Sequence, residues 1–165
     1  MKLVTFLSVA ALVALPLRAG DYDALGKTLK RAWPRCSTVA VVCDAASSRG
    51  AVDALAASLP GLKLMVVDVR GPQEVGRAVA TLNQHRPDAV VLVAGDHVVG
   101  DGSSAASFLI QRMAAIKVPT VGITPEAVKQ GAVLAVGPGT GGKVMANARA
   151  ATVTGASLPT GAVQI

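Results

Sequence analysis

The run Thr38-Val39-Ala40-Val41-Val42-Cys43 decides how this chain folds. Its apolar residues are consecutive rather than alternating, which marks a strand covered on both faces, as in the interior of a parallel sheet. Similar runs occupy residues 63–69, 89–94, 120–123 and 132–136, and 162–165 could add a final edge strand. Helical spacing fills the gaps: Val52, Leu55, Ala56 and Leu59 share one face, as do Val75, Ala78, Val79 and Leu82 behind Pro72. Ala106, Leu109, Ile110 and Met113 repeat the pattern, Thr124-Pro125-Glu126 opens a short helix closed by Gly131, and Val144, Ala148 and Ala151 form a last stripe before Gly155. Ahead of the first run, residues 21–33 read as a helix capped by Asp21 or Asp23 and ended by Pro34. Strand and helix alternate five times. The expected architecture is a doubly wound α/β domain, a single flavodoxin-like or Rossmann-like lobe with a mainly parallel five-stranded sheet and helices on both faces.

Composition narrows the function. The chain has 165 residues, 52% hydrophobic and 16% charged, enough apolar content for one good core and too much for a disordered chain. Its aromatics are Phe6, Tyr22, Trp33 and Phe108, too few for a single-stranded nucleic-acid stacking platform. Met1-Lys2 followed by an apolar stretch to Leu17 and then Arg18-Ala19 reads as a signal peptide over residues 1–19, leaving 20–165 as the domain of a periplasmic or secreted protein. Losing Lys2 and Arg18 lowers the net charge from +6 to +4, and the remaining basic residues are scattered, which argues against a nucleic-acid partner. The two cysteines, Cys36 and Cys43, flank the first strand. Seven extended residues span roughly 23 Å, whereas a disulfide needs Cα atoms within about 7 Å. The two therefore should not bridge each other. Cys43 reads as a small buried group, and Cys36 as the one open to another molecule.

In such sheets ligands bind beyond the carboxyl ends of the strands. Here those ends are Asp44-Ala45-Ala46-Ser47-Ser48, Arg70-Gly71, Gly95-Asp96-His97, Thr124-Pro125-Glu126 and Gly137-Pro138-Gly139-Thr140. Plain turns would also use such small and polar residues. The segment 137–143 matches the first seven positions of a phosphate-binding loop between a strand and a helix, but Val144 stands where Ser or Thr must hold magnesium. His85 sits at a helix end, and Asp96-His97 suggests a base with its orienter, though no nucleophile stands in a recognisable elbow. No residue is assigned to catalysis, no metal set is complete, and no cofactor is implied. The run 86–93, with Val118-Pro119-Thr120-Val121 and 127–131, resembles a response-regulator receiver domain. The position of the phosphorylated aspartate falls on Val93, so that reading leaves only a degenerate receiver.

A second resemblance covers residues 33 to 165. Val118-Pro119, Glu126, Val128-Lys129-Gln130-Gly131-Ala132, Gly142-Lys143, Gly155 and Leu158-Pro159 resemble the closing segment of ABC-transporter substrate-binding proteins of the periplasmic-binding type I fold. Ala94-Gly95-Asp96-His97 resembles that family's strand-end Asp, and residues 37–42 resemble the strand opening its second lobe. The resemblance implies a small, often aromatic or amino-acid-like solute bound without chemistry, and an ABC permease as partner. Its expected ligand edge is Asp44, Ser47, Ser48, Asp96, His97, Thr124 and Thr140, with Asp96 accepting a ligand donor. Family members close two lobes on the ligand and this chain supplies one, so a homodimer or an envelope partner would cover the other side. The alternative is an envelope interaction module that binds no small molecule.

Overall fold

The computed structural model describes residues 22–165. The leader at 1–19 and the cap assigned to Asp21 lie outside them. Seven strands form one sheet: β1 (Thr38–Cys43), β2 (Lys63–Asp68), β3 (Ala89–Leu92), β4 (Thr120–Gly122), β5 (Leu134–Ala135), β6 (Met145–Ala146) and β7 (Val163–Gln164). Their order is β2-β1-β3-β4-β5-β6-β7, parallel throughout except where β5 meets β6. Six helices connect them: α1 (Asp23–Ala32), α2 (Arg49–Ser58), α3 (Val75–His85), α4 (Ser104–Ala115), α5 (Pro125–Lys129) and α6 (Ala148–Thr154).

The first strand behaves as its sequence requires. Val39 through Cys43 are all fully buried, and alternate residues feed opposite layers. Val39, Val41 and Cys43 join Leu25, Leu29 and Leu55 of α1 and α2, and Ala150 and Ala151 of α6. Ala40 and Val42 join Ala78 and Leu82 of α3, and Leu109, Ile110 and Met113 of α4. Each buried Leu or Val is worth about 1.5–3 kcal/mol of transfer free energy, so only a strand sandwiched between helix layers satisfies this run. Gly26 makes the α1–α2 contact possible: a Cβ there would sit 2.0 Å from the Ser58 carbonyl oxygen.

Two features differ from the sequence reading. The run at 63–69 is not an inner strand: β2 is an edge, with Lys63, Val66 and Asp68 exposed. The sheet has seven strands rather than five. The addition not foreseen is Met145–Ala146, which pairs antiparallel with β5 (Leu134 opposite Ala146, Ala135 opposite Met145). Asn147 explains it: its side chain accepts the Ala150 N–H at 2.9 Å and donates to the Val128 carbonyl, so α6 begins only after it and Val144 stays outside the helix. At the other end Gly155, at φ +75°, closes α6 as expected.

Candidate functional site at the strand carboxyl ends

β1 lies between β2 and β3, so the chain leaves it toward one side of the sheet for β2 and crosses to the other side for β3. The loops after β1 and β3 therefore part at their carboxyl ends, which is the topological switch point of such sheets. Five of the seven expected residues meet there: Asp44, Ser47 and Ser48 from the first loop, Asp96 and His97 from the second.

Asp96 is the anchor. It is 6% exposed. One carboxylate oxygen accepts the Ser48 hydroxyl (2.6 Å) and the Asp44 N–H (2.9 Å); the other accepts the N–H groups of Val98 (2.9 Å) and Val99 (2.8 Å). Burial pushes its pKa up, but the Ser48 hydroxyl and the three N–H donors together hold it below the usual carboxylate range. With four donors from its own chain, Asp96 ties the two loops together, and Ser48 is spent in the same bond.

The surface of the site is Asp44, Ser47 and His97. The Asp44 carboxylate closes a tight turn by accepting the N–H groups of Ala46 (3.0 Å) and Ser47 (3.2 Å) on one oxygen. The Ser47 N–H chiefly lowers its pKa, opposed by a smaller burial cost and aided by Ala46, His97 and the Ser47 hydroxyl. His97 bridges the loops: Nδ1 lies 3.2 Å from the Ser47 hydroxyl and Nε2 3.5 Å from the second Asp44 oxygen. The tautomer with its proton on Nε2 satisfies both contacts. Beside them Asp68 accepts the Ala45 N–H at 2.9 Å and pairs with Arg70. Serine, imidazole and carboxylate are the groups of a nucleophilic triad, but that template buries its carboxylate and aims serine and base at a bound acyl group. Here the Asp44 side chain is largely covered, at 15% exposed, but the imidazole is 58% exposed, and Ser47 and Asp44 share one turn. The set offers a hydroxyl, an imidazole and an ionised carboxylate for hydrogen bonding.

Thr124 and Thr140 are not part of this cluster. They follow β4 and β5, one and two strands beyond β3, with neighbouring strands about 4.8 Å apart. The Thr124 hydroxyl and N–H, with the Ile123 N–H, donate to one oxygen of Asp101 at 2.7–2.9 Å. Thr140 is buried and donates within its own loop to the carbonyls of Gly137 and Lys143. The segment 137–143 runs from β5 into β6 through a single 3₁₀ turn, Pro138–Thr140, so no helix N-terminus follows it to cradle a phosphate.

Sequence reasoning missed Asp101 and Asp68, which do for β4 and the first loop what Asp96 does for β1. Asp101 contrasts with Asp96. Its second oxygen is buried and accepts no hydrogen bond, and burial raises its pKa above the ordinary value against the pull of the Ile123 and Thr124 donors, with Glu126 adding to the rise. Among the described residues no group of three or more His, Cys, Asp or Glu gathers as a metal site would need, and no helix is long and apolar enough to cross a membrane.

The cysteines have settled environments. Burial first, then Asp88, pushes the half-buried Cys36 thiol up to about 11; burial, then Asp96, Asp68 and Asp44, pushes Cys43 up to about 12. A thiol near 8.5 is substantially ionised at pH 8 and these are not, so Cys36 should react with iodoacetamide on the order of a hundredfold more slowly than free cysteine. Cys43 should react only in denaturant. Peptide mapping after timed alkylation checks this, and labelling of folded protein at the free-cysteine rate would contradict it.

No protein-family model and no curated protein matches this sequence. Solved structures do. A conserved domain protein from Vibrio cholerae O1 biovar El Tor superposes with a TM-score of 0.72 at 18% identity, over 86% of this chain and 59% of that one. An ABC domain from Streptococcus pneumoniae in complex with L-Trp gives 0.70 at 15% identity, over 87% and 62%. A substrate binding protein with adhesive properties from Clostridium difficile, in a ligand-free, open structure, gives 0.69 at 17% identity, over 84% and 57%. This chain thus has an α/β fold found in substrate-binding proteins, and it spans about three fifths of the length of these relatives in shape.

Proposed function

We propose that this chain is an exported solute-binding domain of an ABC-type transport system, its leader over residues 1–19 removed, that takes up an amino-acid-like solute at the switch point without turning it over. One observation carries the reading: Asp44, Ser47 and His97, from loops about fifty residues apart, present unlike polar groups on one surface, over a buried Asp96 that fixes both loops. A zwitterion suits them once the Ser47 hydroxyl turns from the ring: its ammonium group donates to Asp44 and the freed His97 Nδ1, and its carboxylate accepts the Ser47 hydroxyl. Ser48 and Asp96 act beneath these contacts, and Thr124 and Thr140 hold the flanking loops. The fold shared with substrate-binding proteins supports a ligand-binding role. Ligand pockets bury most of a small ligand, so the cover over this edge comes from a second copy, an envelope partner or the permease.

A melting screen against the twenty L-amino acids tests this. A ligand at a hundredfold excess over its Kd adds about 2.7 kcal/mol to stability, a rise of several degrees. Ser47→Ala and His97→Ala should each remove one hydrogen bond and weaken binding about fivefold. A flat melt across the whole panel would contradict solute binding.

A further inference from the structure

A cavity of about 510 Å³ lies at the opposite pole, where β1, β3 and β4 begin. Its volume is that of a small-molecule site, and nothing above uses it. One wall is Trp33, the chain's single tryptophan, whose indole N–H donates to the Ser157 carbonyl at 2.9 Å and fixes the ring. Asp88 forms another. One of its oxygens accepts the Ser37 N–H and hydroxyl and the Thr38 N–H at 2.9–3.0 Å, while the other accepts nothing from the described residues. The Ser37 N–H leads the contacts that keep this carboxylate ionised, against a smaller burial cost. The last residues of α1 (Ala32) and α6 (Thr154), with their caps Trp33 and Gly155, are also in the lining, so two helix carboxyl ends face the space. Such ends carry partial negative charge. An ammonium group already reads one of them: Lys117 Nζ donates to the Val153 carbonyl at 2.6 Å in the last turn of α6. The opposing charge is Arg35, exposed on the lining and without a hydrogen bond or ion pair among the described residues.

We propose that this cavity is a second ligand site, for a small organic ammonium ion whose charge faces Asp88 and whose apolar body rests on the Trp33 ring. An apolar body stacked on the indole is withdrawn from water on that face, and the Asp88 carboxylate, with one oxygen uncommitted, makes the space attractive to positive charge. A carboxylate ligand would meet Asp88 as repulsion and would have Arg35 on the lining to bind, while Lys117 already offsets the α6 end and Lys30 and Arg31 lie in the last turn of α1. The site is independent of the switch point, and its failure leaves that reading intact.

The tryptophan makes the test direct. The full chain is titrated with phenethylammonium chloride, with sodium phenylacetate and sodium chloride as matched controls, following Trp33 emission. The expected result is a saturable change with the ammonium ion alone, about tenfold weaker in Asp88→Asn, several-fold tighter in Arg35→Ala, and unchanged in Ser47→Ala. Because Asp88 also caps the start of β1, Asp88→Asn could loosen the fold; Arg35→Ala touches no such contact and decides the sign by itself. Absence of a saturable change with the ammonium ion would overturn the proposal. Tighter binding of phenylacetate, lost in Arg35→Ala, would overturn it equally.

Discussion

Replacing Asp96 with alanine should cost at least about 3 kcal/mol, because it strands the Ser48 hydroxyl and three backbone N–H groups in a buried place, and unmet buried donors cost about 1–3 kcal/mol each before relaxation. For a domain of this size that lowers the melting temperature by roughly 10 °C. Asp96→Asn keeps the shape and one good acceptor while turning an NH₂ group toward two donors, so it should lose part of that stability but not all. The pH dependence follows from the sign of the shift. The folded carboxylate has a lowered pKa, so its contribution is fully present above the ordinary Asp value of about 3.9 and is lost as pH falls through the folded value. The acid limb of the stability curve should flatten in Asp96→Asn. Urea titrations between pH 3 and 7 check both statements, and an Asp96→Ala protein within 1 kcal/mol of the parent would show that Asp96 is not the tie between the loops.

Gly122→Val should be comparably damaging, at about 3 kcal/mol or more. A Cβ at Gly122 would lie 2.1 Å from the Ala127 Cβ and 3.1 and 3.3 Å from the Asp101 oxygens. Alanine 127 has no rotamer with which to yield, so β4 and α5 must separate, and overpacking alone usually costs about 1–3 kcal/mol. The added bulk also presses on the carboxylate that holds the Ile123 and Thr124 N–H groups, adding lost hydrogen bonds to the strain. Asp101 titrates oppositely to Asp96: with its folded pKa raised, whatever its protonated form contributes is present below the ordinary Asp value and is lost as pH rises through the folded one. In Gly122→Val the same denaturant titrations should show a lower midpoint with an unchanged slope, and a midpoint equal to the parent's would contradict the close β4–α5 contact.

What the sequence made legible was everything that depends on neighbours along the chain. The buried run at β1, the helix stripes of α2 to α4, Pro125 opening α5 and Gly155 closing α6 are local patterns of burial and backbone freedom. β6 escaped because two residues carry no period, and Val144 happened to extend the stripe of Ala148 and Ala151 across the Asn147 cap. At β2 the apolar run suggests an inner strand because it reports composition, while its place at the sheet's edge is set by strand order. The site shows the same division. That strand-end loops hold polar residues was plain from their position, but that Ser47 meets His97 needs β1 and β3 side by side. The exposed serine and the buried one at 48 look alike in a string of letters. The sequence presents Asp96 as a ligand contact because its four donors exist only once both loops have formed, and it singles out neither Asp101 nor Asp68 for the same reason. The cavity at the other pole is assembled from four separate segments and leaves no motif at all.

The central claim is that the β1 and β3 loops form one polar surface that receives a small solute. Nitrogen-15 backbone spectra of the chain, recorded during titration with each L-amino acid, test it residue by residue. At least one titrant should move the amide signals of Ala46, Ser47, His97 and Val98 together along a single saturating curve, and the movement should vanish in Ser47→Ala/His97→Ala. Saturating shifts confined to other segments, or no saturating shift with any of the twenty, would contradict it.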